Sequence, residues 1–294
     1  MTHPAVAALA KIAEWPELVD PIAEVREALT GLRWHQALRR RIPESAAESR
    51  VRGAQASGEL EGSRLPVDLV REYIAGVRTW PVDPDPVEDA MRGIVAATAA
   101  SEEVRGQVLG APAGALARLH IAAVGHLVTS DAERRPGAHL SADSIGRPRS
   151  AEEVCEELVD LGPAPAPAEV IERLSLVSEL IRAHAAVPAV VLAAVVHAEI
   201  ATVRPFIRGN AIVSRALERA LVQATGLDPT GVAVTELGHF RQTMPAYVGA
   251  LAAYATGSRD GVRIWLEHCC TAYVSAAQEG RIVADAVLAG RLPR

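Results

Sequence analysis

Three arginines cluster around one predicted turn of this 294-residue chain. Arg204, Arg208 and Arg215 lie in or just after the turn, and no carboxylate residue separates them. Gly209 and Asn210 close the turn, and we predict that Asn210 is the N-cap of the helix that follows. Backbone N–H groups and the helix dipole favour an anion at such a helix start. The turn therefore predicts a binding site for a phosphate or carboxylate group.

Two helical patterns position this turn. An apolar run from Val187 to Val203 leads into it, and apolar residues recur at helical spacing from Ile212 to Leu221. Pro205 separates the two patterns, and Phe206, one of only two phenylalanines in the chain, follows it. The sequence therefore predicts a helix, a turn and a second helix.

The segment 204–215 resembles the signature H-x-F-x-(D/E)-G-N-G-R-x-x-R of the Fic (filamentation-induced-by-cAMP) family of nucleotidyl transferases. The residues that match the signature are Phe206, Gly209, Asn210 and Arg215. The family's histidine, acidic residue, second glycine and first arginine are replaced here by Arg204, Arg208, Ala211 and Ile212. The resemblance implies the Fic fold, whereas the replaced positions are those that carry the family's chemistry.

Transfer of AMP in that family uses the histidine as general base and the acidic residue as magnesium ligand. Arg204 stands at the histidine position, and a guanidinium cannot be deprotonated in a protein. Arg208 stands at the acidic position and would repel magnesium. Loss of a general base alone lowers a rate by roughly two to four orders of magnitude. We therefore predict no catalytic residue, no metal site and a pseudoenzyme without adenylyltransferase activity.

A second motif lies upstream, in a predicted helix over residues 45–62. Ser57, Glu61 and Gly62 fit the S/T-x-x-x-E-G/N inhibitory motif that some Fic proteins carry ahead of the core. The resemblance implies that Glu61 pairs with Arg215 and ties the N-terminal helices to the core. Two alternatives stay open, a glycine C-cap behind a solvated glutamate and a pairing of Arg215 with Glu218 or Glu199 on a helix face.

The whole chain reads as all-α, because alternating strand patterns are rare and helix-forming residues dominate. We predict an N-terminal helical region over residues 1–80, a Fic-like core over 86–257 and C-terminal helices over 258–294. The segment from Thr235 to Ala255 is expected to form one helix. In the irregular stretch 130–167, residues 146–149 are similar in type to the family's flap, a short β-hairpin.

The composition and charge of the chain argue against several classes of protein. A net charge of -6 gives no reason to expect nucleic-acid binding. We see no signal peptide and no apolar run long enough for a membrane span. Cys155, Cys269 and Cys270 lack metal-ligand spacing, and His120 and His126 are expected in the core or on the surface. We therefore expect a cytoplasmic location with reduced thiols.

Three functions compete. The favoured one is a degenerate Fic-like regulatory or binding module that takes a nucleotide or another phosphate-bearing anion without magnesium. Its predicted binding residues are Arg204, Phe206, Arg208, Gly209, Asn210 and Arg215. The alternatives are an active transferase with altered, magnesium-independent chemistry and a purely structural helical scaffold. The sequence does not identify the protein partner, and it leaves a homodimer open. Another alternative is that Arg204 and Arg208 pair with local carboxylates, which would leave no positive charge for a ligand.

Overall fold

The fold is built from helices. The computed structural model describes residues 4–128 and 140–291, and twelve α-helices lie within these residues. In chain order they are α1 Pro4–Ile12, α2 Pro16–Arg33, α3 Ile42–Leu60, α4 Val67–Ile74, α5 Pro86–Val104, α6 Pro112–Val124, α7 Pro167–Arg182, α8 Ala189–Val203, α9 Asn210–Ala224, α10 Thr235–Arg241, α11 Met244–Ala255 and α12 Arg259–Leu288. The only β contact among the described residues is an isolated bridge between Val128 and Leu140. The predicted all-α fold class is confirmed.

The predicted hairpin flap belongs to the stretch 130–167, of which residues 130–139 lie outside the described residues. The described part of that stretch holds two short 3-10 helices, Ala142–Ser144 and Val159–Leu161, joined by irregular backbone. Residues 146–149 belong to this irregular backbone and form no strand. A hairpin therefore does not form at residues 146–149, the part of the stretch that was expected to be similar to the flap.

The helix α8 lies at the centre of the core. All its residues except Ala189 and Glu199 are buried, as expected for an apolar sequence on every face of a helix. The next helix, α9, packs against it and is buried almost throughout. Within the described residues, no helix combines the length and the apolar character needed to cross a bilayer.

The terminal helices pack against this core and against each other. The helix α2 packs along α12, and α3 packs against α5 and α10. A single helix, α12, spans most of the region for which C-terminal helices were predicted. The segment 235–255, expected to be one helix, forms α10 and α11, because Thr243 at φ 73° and Pro245 interrupt the helical backbone. The boundaries predicted for the three regions stay a prediction.

Candidate functional site

The turn between α8 and α9 is closed by an asparagine. The Asn210 side chain accepts a hydrogen bond from the Phe206 N–H at 2.9 Å and donates one to the Phe206 carbonyl at 2.9 Å. The prediction that Asn210 is the N-cap is wrong by one residue, since Gly209 precedes the helix and Asn210 is its first residue. The Asn210 amide therefore holds the loop rather than capping the helix.

Gly209 adopts a left-handed backbone conformation at the end of the turn. Its φ of 81° lies in the left-handed region, and a Cβ there would meet Val124 Cγ1 at 2.7 Å. With this backbone, the N–H groups of Gly209 and Asn210 both donate to one side chain. A glycine is required here by both conformation and space.

The side chain at this helix start is Glu157. Its two carboxylate oxygens accept hydrogen bonds from the Gly209 N–H at 2.7 Å and the Asn210 N–H at 2.9 Å. The Asn210 side-chain amide donates a third bond at 2.9 Å. A carboxylate of this chain therefore occupies the helix N-terminus, where the turn was predicted to bind a ligand anion. Burial raises the pKa of Glu157, the Gly209 N–H opposes that rise, and the nearby Glu61 carboxylate adds to it.

Arg204 does not face this anion. Its guanidinium is only 2% exposed and donates hydrogen bonds to a set of backbone carbonyls, which belong to Thr202, Glu157, Leu158, Gly162 and Pro163. Arg204 itself lies in the left-handed region at φ 48° and ends α8. The residue at the family's histidine position therefore fastens the segment 157–163, which carries Glu157, to the turn.

A second arginine ties the same segment to the turn. The backbone N–H of Arg149 donates to the Pro205 carbonyl at 2.7 Å, and its Nε donates to the Arg204 carbonyl at 3.0 Å. Its Nη2 donates to the Pro165 carbonyl. Residues 149–165 and the turn therefore form one hydrogen-bonded unit.

Phe206 belongs to the core. Its ring stacks on the His120 imidazole with ring centroids 3.7 Å apart, and it is 2% exposed. His120 Nδ1 accepts the Gly146 N–H at 2.9 Å, which leaves His120 Nε2 to donate to the Arg208 carbonyl at 3.1 Å. Burial lowers the pKa of His120 to about 4. With both ring nitrogens engaged, His120 cannot replace the missing general base.

Arg215 contacts α3, as the order of the two motifs predicted. Its Nη2 lies 2.6 Å from the Glu61 carboxylate, and its Nε donates to the Ser57 hydroxyl at 2.9 Å. Arg215 is buried, whereas Glu61 is partly exposed. Gly62, at φ 76°, follows directly after this contact. The pairing with Glu218 considered from the sequence is absent, because Glu218 lies among histidines. An inhibitory role for the contact stays a prediction.

We expect Glu61→Gln and Arg215→Met each to lower the free energy of unfolding by about 2–3 kcal/mol, because either change leaves a charge without its partner. The double variant is expected to lose less than the sum, with a coupling energy of at least about 1 kcal/mol. Urea unfolding of the four proteins measures this coupling. The control is the pair Glu59–Arg64, in which Arg64 is 81% exposed and the coupling should be near zero. Additive effects for Glu61 and Arg215 would contradict the coupling.

A cavity of about 610 Å³ opens beside the turn. Of the predicted binding residues, only Arg208 and Gly209 line it. Its charged lining residues are the carboxylates Glu61, Asp89, Glu156 and Glu157 and the single guanidinium of Arg208. Within the described part of the chain, the Arg208 side chain makes no hydrogen bond or ion pair. The three arginines therefore do not converge on a ligand, and only one of them faces the cavity.

Sequence reasoning missed Glu157. It lies 52 residues before Gly209, in an irregular segment where no periodicity indicates which way a side chain points. It also missed the buried side chains His197, Glu218 and His239, which come together from three helices. The only available signal was the presence of charged and histidine residues within apolar helical patterns, where burial requires a partner.

The comparisons with known proteins concern the fold. No protein-family profile and no curated protein sequence matches the chain. Among solved structures, a Fic family protein from Desulfovibrio desulfuricans is similar with a TM-score of 0.68 and 21% identity, over 90% of this chain and 74% of that one.

Two further solved structures agree with this similarity. A fragment of Fic-1 from C. elegans superimposes with a TM-score of 0.63 and 16% identity, over 98% of this chain and 75% of that one. A Fic domain containing signaling protein from Bacteroides thetaiotaomicron gives a TM-score of 0.59 and 12% identity, over 93% of this chain and all of that one. The chain therefore has the Fic domain fold.

Proposed function

We propose that this Fic-fold chain does not transfer AMP and acts as a regulatory binding module, in which a phosphate-bearing anion competes with Glu157 for the turn. The observation that carries this proposal is the Glu157 carboxylate on the N–H groups of Gly209 and Asn210. A phosphate would need the same donors, because N–H groups at a helix start are the usual ligands of such an anion. Binding of one therefore excludes the other.

The absence of transfer follows from the state of the turn. A general base must accept the proton of the attacking hydroxyl, and Arg204 cannot do so. Its guanidinium is also committed to backbone carbonyls, so it is not available to a substrate. Arg208 gives the cavity a fork for phosphate oxygens, and it stands at the position where the Fic signature has its acidic residue. The site can hold an anion without the parts that would activate it.

Displacement of Glu157 provides the regulatory step. Glu157 is followed by Leu158, a non-glycine residue at φ 52°, in a conformation that costs of order 1–3 kcal/mol. The Glu157 carboxylate and the Arg204 guanidinium hold this strained backbone against the turn. When an anion takes the place of the carboxylate, this attachment is lost and the segment 157–163 is held to the turn less firmly, through the Arg204 guanidinium. A protein partner that recognises this segment would then respond to the anion.

Transfer is tested with α-labelled ATP and magnesium. We expect no label on the chain itself or on proteins of a cell lysate, because no group of the turn can serve as base. The variant Glu61→Gly, which frees Arg215 from its partner on α3, should stay equally inactive. An active Fic transferase in the same lysate is the positive control. Labelling that is lost in Arg204→Ala would contradict the proposal.

A second candidate function is transfer with a relocated base, and His126 is the observation that favours it. His126 lines the cavity, and its Nε2 lies 2.9 Å from the Asp89 carbonyl, which makes Nε2 the protonated nitrogen. Burial lowers the pKa of His126, and Nδ1 of the neutral ring can accept a proton. Labelling that disappears in His126→Gln but persists in Arg204→Ala would establish this candidate instead.

Competition with a carboxylate makes anion binding depend on pH. Because the pKa of Glu157 is raised in the folded chain, its neutral form becomes populated at a higher pH than for an ordinary glutamic acid. The neutral acid is a weaker competitor, so we expect sulfate to bind more tightly as the pH falls through that raised pKa. Sulfate keeps its charge over this range, and isothermal titration between about pH 5 and pH 8 measures the trend. The change of sulfate affinity with pH should vanish in Glu157→Ala. An equal change in the variant and in the wild type would contradict the competition.

A further inference from the structure

A second polar cluster lies in the core, away from the cavity. His197 on α8, Glu218 on α9 and His239 on α10 are all fully buried. Each offers one ligand atom, and these three atoms lie within 4.8 Å of one another. None of the three lines the cavity beside the turn. The inference drawn from them is independent of the proposed function.

One atom of the cluster lacks a hydrogen-bond partner. His197 Nδ1 is 2.9 Å from Glu218 Oε2, yet it makes no hydrogen bond, so the contact has the distance but not the direction of one. His239 Nε2 lies 3.0 Å from the same oxygen. Two ring nitrogens therefore converge on one carboxylate oxygen, and one of them is buried without a directed bond.

The other ring nitrogen of each histidine and the other carboxylate oxygen of Glu218 contact further side chains. His197 Nε2 lies 2.7 Å from the Tyr247 hydroxyl, and His239 Nδ1 lies 3.1 Å from His268 Nε2. The Tyr273 hydroxyl donates to Glu218 Oε1 at 2.7 Å. This is the arrangement of metal sites, in which each ligating imidazole or carboxylate is oriented by a partner on its far side.

The charge of Glu218 also favours a cation in this cluster. Glu218 is a buried carboxylate, and the two nearest arginines along α9 already have acidic partners. Arg215 pairs with Glu61 at 2.6 Å, and Arg219 pairs with Glu236 at 2.7 Å. Glu218 therefore needs another positive charge, since burial of an uncompensated carboxylate is strongly unfavourable.

We propose that His197 Nδ1, Glu218 Oε2 and His239 Nε2 bind a divalent transition metal of the zinc type. Two imidazoles and one carboxylate are ligands that zinc accepts, at metal–ligand distances of about 2.0–2.2 Å. Ligand atoms at that distance stand roughly 3.3 Å apart in a tetrahedral site. The two separations from Glu218 Oε2, 2.9 Å to His197 Nδ1 and 3.0 Å to His239 Nε2, therefore need to widen by only a few tenths of an ångström, as expected on roughly tetrahedral binding. The metal would join α8, α9 and α10 and stabilise the fold, entering as the chain folds because the cluster has no opening to solvent.

The test starts with the purified 294-residue chain, refolded with Co²⁺ or Zn²⁺ and dialysed. We expect one metal ion per chain by elemental analysis, the visible absorption of tetrahedral Co²⁺, and a higher unfolding temperature than for the protein refolded with EDTA. Glu218→Gln and His239→Gln should lose the absorption. The control is His120→Gln, which changes a buried histidine outside the cluster and should keep it.

Three results would overturn the proposal. The first is a wild-type chain that folds equally well and takes up no metal, which would make the cluster a hydrogen-bonded network with one protonated imidazole. The second is metal binding that survives both substitutions. If the variants fail to fold, anomalous diffraction from wild-type crystals grown with Zn²⁺ decides, because a peak anywhere but between His197, Glu218 and His239 contradicts the assignment.

Discussion

Replacement of Glu157 by alanine is expected to strengthen binding of ADP by at least about tenfold, which corresponds to 1.4 kcal/mol. The reason is that the wild-type carboxylate accepts three hydrogen bonds from the donors a phosphate would use. Charge-assisted bonds of this kind contribute roughly 1.5–3 kcal/mol each, so a factor of ten is a lower bound on the competition. The substitution also removes one of the four carboxylates that line the cavity.

The control for this charge effect is Glu156→Ala. Glu156 lines the same cavity and carries the same charge, but its side chain makes no hydrogen bond to the turn in the described structure. Its removal should change ADP affinity by less than about threefold, as expected for screened charge alone. Titrations with magnesium and with EDTA should agree, since Arg208 rather than a metal faces the phosphate. Equal effects of the two substitutions would contradict direct competition.

Loss of the Arg204 guanidinium is expected to have the largest effect on stability. Arg204→Met leaves five backbone carbonyls without their donor, most of them in partly buried contacts, and it removes the attachment of the strained residue Leu158. We expect the free energy of unfolding to fall by about 3–5 kcal/mol, because each unsatisfied buried group costs about 1–3 kcal/mol and water can reach only some of them. Chemical denaturation with urea measures the loss.

The matched control is Arg208→Met, on the same turn. The Arg208 side chain makes no hydrogen bond or ion pair in the described residues, so its loss should change stability by less than about 0.5 kcal/mol. The variant Arg204→His restores the residue type of the Fic signature, but it should also unfold more easily, because an imidazole cannot supply the same set of donors. If Arg204→Met lowers the free energy of unfolding no more than Arg208→Met does, the contacts of Arg204 with the carbonyls contribute little to stability.

Much of the helical framework can be predicted from the sequence, because the apolar run before Arg204 and the periodic pattern after Asn210 leave few alternatives to two buried helices. The contact of Glu61 with Arg215 followed from the order of two motifs, although they lie 154 residues apart. The helices follow from a local pattern, whereas the contact was implied by the resemblance of the two motifs to those of the Fic family. The break between α10 and α11 was missed, because nothing beyond Pro245 marks it in the sequence.

The contacts that the arginines of the turn make could not be predicted from the sequence. Arg204, Arg208 and Arg215 look alike in the sequence, yet one binds carbonyls, one lines the cavity and one binds α3. Their directions depend on the left-handed backbone at Arg204 and Gly209 and on contacts with residues far along the chain. The cluster around Glu218 was missed for the same reason, because only the packing of three helices brings its members together.

Crystal structures of the wild-type chain and of Glu157→Ala, each soaked with ADP, test the central claim most directly. The account predicts that the wild type retains the Glu157 carboxylate on the N–H groups of Gly209 and Asn210. In Glu157→Ala it predicts that a phosphate group of ADP takes that position, with Arg208 turned toward it. A turn that stays free of phosphate in the variant, or a wild type that binds ADP there with Glu157 still in place, would contradict it.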